Sequence, residues 1–234
     1  MLFYGEPGTG KTLMAQAIAN KMSYKLYVIA TADIESASPG QAERNIREAF
    51  AKAKGKKSIL LFDECDSLIY SRKNVGAIMG AQINELLTQI EKFDGITLFT
   101  TNQLGKLDEA VNRRLALKLH FEMPSQEERA EIWKRMIPEK APLEGEMDYM
   151  RLAIPEVTGG YIKNAVLRAA RSAAATDKAD KEKTITMDHF IDAMTAEAVA
   201  MAEFKAERDN EEASHGHVGY DGVVRAGGGL NRTA

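Results

Sequence analysis

The chain has one cysteine in 234 residues, so no internal disulfide can form. Cys65 follows an apolar run and stands beside acidic residues, a setting that disfavours a nucleophilic thiolate, and it reads as a small packing residue. No run of about 18 apolar residues occurs, and the N-terminus lacks the charged and apolar regions of a signal peptide. No membrane segment and a cytoplasmic location are therefore expected. Basic charge is not in excess either: 31 Lys and Arg against 34 Asp and Glu give a formal charge of −3, which argues against nucleic acid as the partner. What is present is a globular composition, 44% hydrophobic and 28% charged, with length enough for a substantial core and two domains.

The most specific stretch is GEPGTGKT, Gly5 to Thr12, between a short apolar segment and a helix-forming run. Its spacing is that of the phosphate-binding P-loop, G-x-x-x-x-G-K-[ST]. Glycines at Gly5, Gly8 and Gly10 permit the dihedrals that turn successive N–H groups inward on an anion. The helix starting near Lys11 points its positive end at the same charge. Lys11 adds a cation for the β and γ phosphates, and the Thr12 hydroxyl is a ligand for Mg²⁺. Only four residues precede Gly5, too few to cover a nucleotide base, so the sequence is expected to begin inside a longer polypeptide.

Leu13, Met14, Ala17, Ile18 and Met22 recur at helical spacing and predict a helix of about a dozen residues with one apolar face. Lys25 to Ile29 alternates as a strand. Ser36 to Gly40 breaks the chain before a helix from about Gln41 to Lys54, with Ile46, Phe50 and Ala53 on one face and Gly55 as its cap.

SILLFDEC is the second strong signal. Ser58 to Phe62 suits a strand buried on both faces of a parallel sheet, and Asp63 and Glu64 follow it directly. Ligands of open α/β sheets bind beyond the C-terminal strand ends. Asp63 is thereby placed to hold Mg²⁺ and Glu64 to deprotonate an attacking water. After a polar connection, Ser71 to Gly80, the residues Ile83, Leu86, Leu87, Ile90 and Phe93 form a helical core stripe. Ile96 to Thr100 is a further strand. Asn102 beyond it is either a turn residue or an amide that positions water. Leu107 to Leu115 reads as a short helix bearing Arg113 and Arg114, either a solvated face or an arginine finger for a neighbouring subunit's γ-phosphate. Ala116 to Phe121 is the last strand.

Beyond Pro124 the pattern is helical. Ser125 with Glu128 fits a capping box. Thr158, Gly159 and Gly160 precede an alanine-rich helix from Tyr161 to about Ala175, whose start, with Gly160, Tyr161 and Lys163, is positioned to close over a nucleotide. A helix from Thr186 carries Met187, Met194 and Met201 at seven-residue spacing, read as core packing. From about Lys205 the chain turns charged and glycine-rich and reads as a flexible tail, in which His215 and His217 are solvated and not metal ligands.

The set GEPGTGKT, ILLFDECD, LFTTNQ, LDEAVNRR and TGGYIKNA, in this order, resembles the AAA+ ATPases, in particular their AAA branch, from about Leu2 to Phe204. The resemblance implies a parallel five-stranded P-loop sheet flanked by helices, followed by a small helical lid. Residues 1–123 are then the ATPase portion, 124–204 the lid and 205–234 the tail. It also implies ATP and Mg²⁺ as cofactors and a homo-oligomeric ring, usually a hexamer, that acts on a protein partner. Gly5, Glu6, Pro7, Gly8, Thr9, Gly10, Lys11, Thr12 and Leu13 would line the nucleotide with Gly160. Thr12 and Asp63 would hold the metal, Glu64 would be the base, Asn102 sensor 1, and Arg113 or Arg114 the finger.

Three departures from the resemblance stand out. Ser38, Pro39 and Gly40 occupy the place of an aromatic pore loop, which weighs against polypeptide threading. Tyr161 stands where many relatives have a sensor 2 arginine. NRRL is compact, leaving the finger open between Arg113 and Arg114. The leading expectation is an ATP-hydrolysing ring that remodels a protein complex. The alternatives are a nucleotide-dependent assembly scaffold and, against the acidic balance, a DNA-remodelling motor.

Overall fold

Strand β1, Leu2–Gly5, leads into the P-loop and lies in a five-stranded sheet. A computed structural model of the chain describes residues 1–34, 40–55, 57–69, 77–103, 107–176, 179 and 183–215. The remaining strands are β2 (Lys25–Ala30), β3 (Ser58–Asp63), β4 (Ile96–Thr101) and β5 (Lys118–Phe121). All pairings are parallel, in the order β2-β3-β4-β1-β5. The β3 run SILLF is buried at every position because helices cover both faces of the sheet. Alternation along the strands sorts the side chains into two cores. Phe3, Ile59, Leu61 and Leu98 pack with Ala15 and Ala19 on one face, and Leu2, Leu60, Phe62 and Phe99 pack with Ile46, Phe50 and Leu86 on the other.

Helix α1, Lys11–Met22, has the expected length, but its buried face differs from the expected one. Ala15 and Ala19 face the sheet, while Leu13, Met14 and Met22 are exposed, Leu13 at 64%. Small residues let a helix that starts in the P-loop lie close over the strands, and the larger residues turn outward. The short helix α2, Thr31–Ile34, follows β2. Helix α3, Gln41–Lys52, buries Ile46 and Phe50 as read from the sequence, yet its C-cap is Ala53, so Gly55 lies beyond the cap. Next come α4 (Asp66–Ile69), α5 (Ala77–Lys92) and α6 (Glu109–Arg114). Asp108 caps α6, accepting from the N–H groups of Ala110 and Val111.

A third core lies among α7 (Gln126–Met136), α8 (Tyr149–Leu152), α9 (Gly159–Ala174) and α10 (Met187–His215). Trp133 and Phe190 meet edge to face at its centre. Met194 is buried, and Met187 and Met201 pack against the same cluster. The Ser125–Glu128 capping box is formed in both directions. Arg129 is buried and donates to the carbonyls of Pro124, Ala153 and Ile154, tying the start of α7 to the segment after α8. Helix α10 continues past Lys205 to His215, so these turns are helical where the composition suggests a tail. The break at 36–39, most of the 71–80 connection and residues 216–234, His217 included, lie outside the described residues. No described helix is long and apolar enough to cross a membrane.

Candidate active site

At Gly5 and Gly8 the P-loop is shaped by contacts that leave no room for a side chain. A Cβ on Gly5 would sit 2.2 Å from the Phe121 carbonyl oxygen on β5. Gly8 has φ +78°, and a Cβ there would lie 2.5 Å from Thr158 Oγ1 and 3.2 Å from Gly160 Cα. The loop and the start of α9 are therefore in direct backbone contact, with the Gly160 N–H donating to the Gly8 carbonyl at 3.0 Å. Thr9 Oγ1 donates to the Glu6 carbonyl at 2.8 Å and closes the turn.

Lys11 is the one buried cation of the loop. Its ammonium donates to the carbonyls of Gly5 (2.8 Å) and Glu6 (3.0 Å) and to Asn102 Oδ1 (2.8 Å). Because an ammonium only donates, the amide oxygen of Asn102 must be the atom that faces it. Burial lowers the Lys11 pKa, and the charges of Asp66, Glu64, Asp63 and Glu6 oppose that shift.

The Thr12 hydroxyl donates to Asp63, at 2.9 Å from Oδ1 and 3.1 Å from Oδ2. These are hard oxygen donors, the type Mg²⁺ takes, and an octahedral ion with bonds of about 2.0–2.1 Å sets neighbouring donors about 2.9 Å apart. The pair fits the metal that the sequence implies. Among the described residues no group of three or more His, Cys, Asp or Glu gathers as a self-sufficient metal site.

Glu64 follows Asp63 in the left-handed region, φ +49°. Its N–H donates to Thr100 Oγ1 at 2.8 Å, and its carbonyl accepts from the Thr31 hydroxyl at 2.9 Å. Cys65, fully buried, donates from Sγ to the Thr100 carbonyl at 3.2 Å; burial pushes its thiol up, so it packs and does not react. Thr101 hydrogen-bonds the Asp66 carboxylate, which also accepts from the Asn102 N–H at 3.3 Å. The hydroxyls of Thr31, Thr100 and Thr101, and the carboxylate of Asp66, escaped the sequence reading. The available signal was a pair of threonines ending the strand directly after the apolar Leu98 and Phe99.

Arg113 and Arg114 end α6 and bond to none of these groups. Arg113 pairs with Glu109 and is 73% exposed, and Arg114 Nε donates to Glu91 at 2.6 Å with 41% exposure. Between the loop and the helical part lies a cavity of about 210 Å³ lined by Pro7, Met123, Thr158, Tyr161 and Phe204 among others. Thr158 Oγ1 is buried there without a hydrogen-bond partner. Leu13 is on the outer face of the first turn of α1, and Gly160 meets the loop through Gly8.

Comparison with known proteins is consistent across sources. Residues 1–123 match the family model for the ATPase family associated with various cellular activities (AAA). The chain is 29% identical to an ATP-dependent zinc metalloprotease FtsH of Ureaplasma parvum over 94% of its length and 32% of the relative's. It is 32% identical to the 26S proteasome regulatory subunit 7 homolog of Schizosaccharomyces pombe, over 76% of its length and 45% of the relative's. With the cell division cycle protein 48 homolog of Archaeoglobus fulgidus the identity is 34%, over 69% of this chain and 23% of the relative. The chain thus spans less than half the length of each of these relatives.

Proposed function

The chain belongs to the AAA family of ATPases, and from that premise we propose that it binds ATP with Mg²⁺ at the P-loop, hydrolyses it, and uses the turnover in a ring of copies to remodel a protein partner. The observation that carries the reading is a convergence of side chains. Thr12 meets Asp63 and Lys11 meets Asn102, each at 2.9 Å or less, so four side chains from three motifs gather at one end of the sheet. That end is where open α/β sheets take ligands.

In this reading the backbone N–H groups of Glu6 and of residues 8–12 cradle the phosphates, and Lys11 supplies a partly desolvated cation to the β and γ positions. Thr12 and Asp63 hold Mg²⁺, which when bound neutralises charge on the phosphate oxygens. Glu64 takes the proton of the attacking water, and Asn102 orients that water. Arg113 or Arg114, exposed at the end of α6, acts on the γ-phosphate of a neighbouring copy. Residues 1–123 form the ATPase portion and 124–204 the lid, whose Gly160 contact with Gly8 gives hydrolysis a path to lid movement. A protein as partner is supported by relatives whose names place them in proteolysis and the proteasome, and a hexamer as the ring is what the resemblance to the AAA+ ATPases implies.

Turnover per subunit measured against protein concentration tests the reading. We expect it to rise with concentration and to vanish in Glu64→Gln. ATP-dependent assembly with negligible turnover in both would replace the motor with a scaffold.

A further inference from the structure

Strand β4 ends in two threonines, and the alternation of the sheet sends them to different acids. Leu98 packs on the α1 side of the sheet and Phe99 on the opposite side. Thr100 shares the side of Leu98, as Asp63 on β3 shares that of Leu61. Thr100 Oγ1 donates to Asp63 Oδ1 at 2.6 Å and accepts from the Glu64 N–H at 2.8 Å. Thr101, one residue on, goes instead to Asp66. Thr100 is 1% exposed. A buried hydroxyl without partners is costly, so its single proton and one of its two lone pairs are committed to these two neighbours.

Both neighbours need holding. Glu64 occupies a conformation that non-glycine residues rarely adopt, and such a conformation persists only where the surroundings over-determine it. Asp63 Oδ1 takes hydroxyl protons from Thr12 and from Thr100. Thr12 belongs to the nucleotide site and is redirected when that site fills, whereas Thr100 is sealed in the sheet. It is the anchor that stays.

We propose that Thr100 is a positioning residue for both acidic groups: one hydroxyl orients the Asp63 carboxylate toward Mg²⁺ and fixes the backbone turn from which Glu64 acts as base. The inference rests on the reading under Proposed function and adds to it a residue that touches neither nucleotide nor metal.

The test compares the 234-residue chain with T100V, T100C and T100S. Two quantities are read: the gain in affinity for a fluorescent ATP analogue when Mg²⁺ replaces EDTA, and kcat for ATP. Valine keeps the shape and loses the hydroxyl, cysteine offers only a weak donor, and serine keeps the hydroxyl without the methyl. We expect T100V to lose roughly 10–100-fold in the Mg²⁺-dependent gain and in kcat, the range seen for groups that orient metal ligands. Affinity in EDTA should stay within about twofold of the parent, since Lys11 and the loop are untouched. T100S should recover most of the loss and T100C should fall between, which keeps the proposal testable if T100V does not fold. Equal Mg²⁺ gain and kcat in parent, T100V and T100C would overturn the inference alone, as would a T100S as impaired as T100V. A parent that gains no affinity from Mg²⁺ would overturn the functional reading and this inference with it.

Discussion

Lys11 Nζ donates to Asn102 Oδ1 at 2.8 Å, joining residues 91 positions apart, the first of α1 and the one that follows β4. The acceptor is neutral. The ammonium is therefore fixed in place without an acid among its three hydrogen-bond partners, and its charge is left for an incoming anion. Asp63, Glu64 and Asp66 stand near enough to support that charge, and the carboxylates of Asp63 and Asp66 are themselves engaged, by the hydroxyls of Thr100 and Thr101 and by the Asn102 N–H.

Lys11→Ala removes that cation. Charge-assisted hydrogen bonds are worth about 1.5–3 kcal/mol, so ATP affinity should fall roughly 10–100-fold. Isothermal titration would show it, and an unchanged affinity would mean the loop holds nucleotide by backbone alone.

Glu64→Gln keeps the size and backbone of the residue and removes its basicity. Nucleotide affinity should be retained and kcat lowered on the order of 100-fold or more, the usual contribution of a general base. Hydrolysis at the parent rate would remove Glu64 from that role.

Arg113→Ala and Arg114→Ala separate the two candidates for the finger. One should lose about 1,000-fold in turnover with affinity intact, and the other should change little, because exposed ion pairs such as Arg113 with Glu109 stabilise by under about 1 kcal/mol. Full activity in both variants would dismiss the assignment.

Gly8→Ala and Gly160→Ala probe the contact between loop and α9 from its two sides. At Gly8 the positive φ alone costs alanine about 1–2 kcal/mol, and the Cβ would also meet Thr158 Oγ1 at 2.5 Å. The melting temperature should drop by roughly 2–8 °C. Gly160 lies in the first turn of α9, where alanine favours the helix by about 1 kcal/mol, while its Cβ would approach Gly8 Cα to 3.1 Å. Gly160→Ala should therefore melt near the parent temperature and bind ATP more weakly. Parent-like binding in Gly160→Ala would mean the contact is incidental.

Cys65 gives a pH-dependent prediction. Burial raises its folded pKa above the ordinary 9.0. Once the pH passes 9, the unfolded chain loses the thiol proton and the folded one keeps it. This part of the stability is complete below pH 9 and declines above it, by at most about 1.4 kcal/mol per pH unit. The native protein should also resist iodoacetamide at pH 8 and react only on unfolding; rapid native alkylation would contradict the buried placement.

Much of this was legible locally. The P-loop octet, the SILLF run and the Ser125–Glu128 box each depend on residues close in sequence, and each forms where its pattern lies. Helix α1 shows the limit. Its periodicity marks a helix, but two stripes compete, and only the closeness of the sheet chose Ala15 and Ala19 over Leu13, Met14 and Met22. The stretch after Lys205 is similar: its charge suggests a tail, yet α10 continues through it to His215.

By itself the sequence determined the chemistry available: a phosphate loop with its lysine and threonine, two acids closing a core strand, an amide after the next, and a pair of arginines. These follow from residue type and short spacing, which local backbone preferences and side-chain chemistry translate directly. Only the tertiary structure decided which groups are partners. That Thr100 serves Asp63 while Thr101 serves Asp66, that Asn102 meets Lys11, and that Gly8 must be small because α9 lies against it all depend on strands and helices brought together from distant positions. Sheet register and close packing set those distances, and neither is written in any one segment.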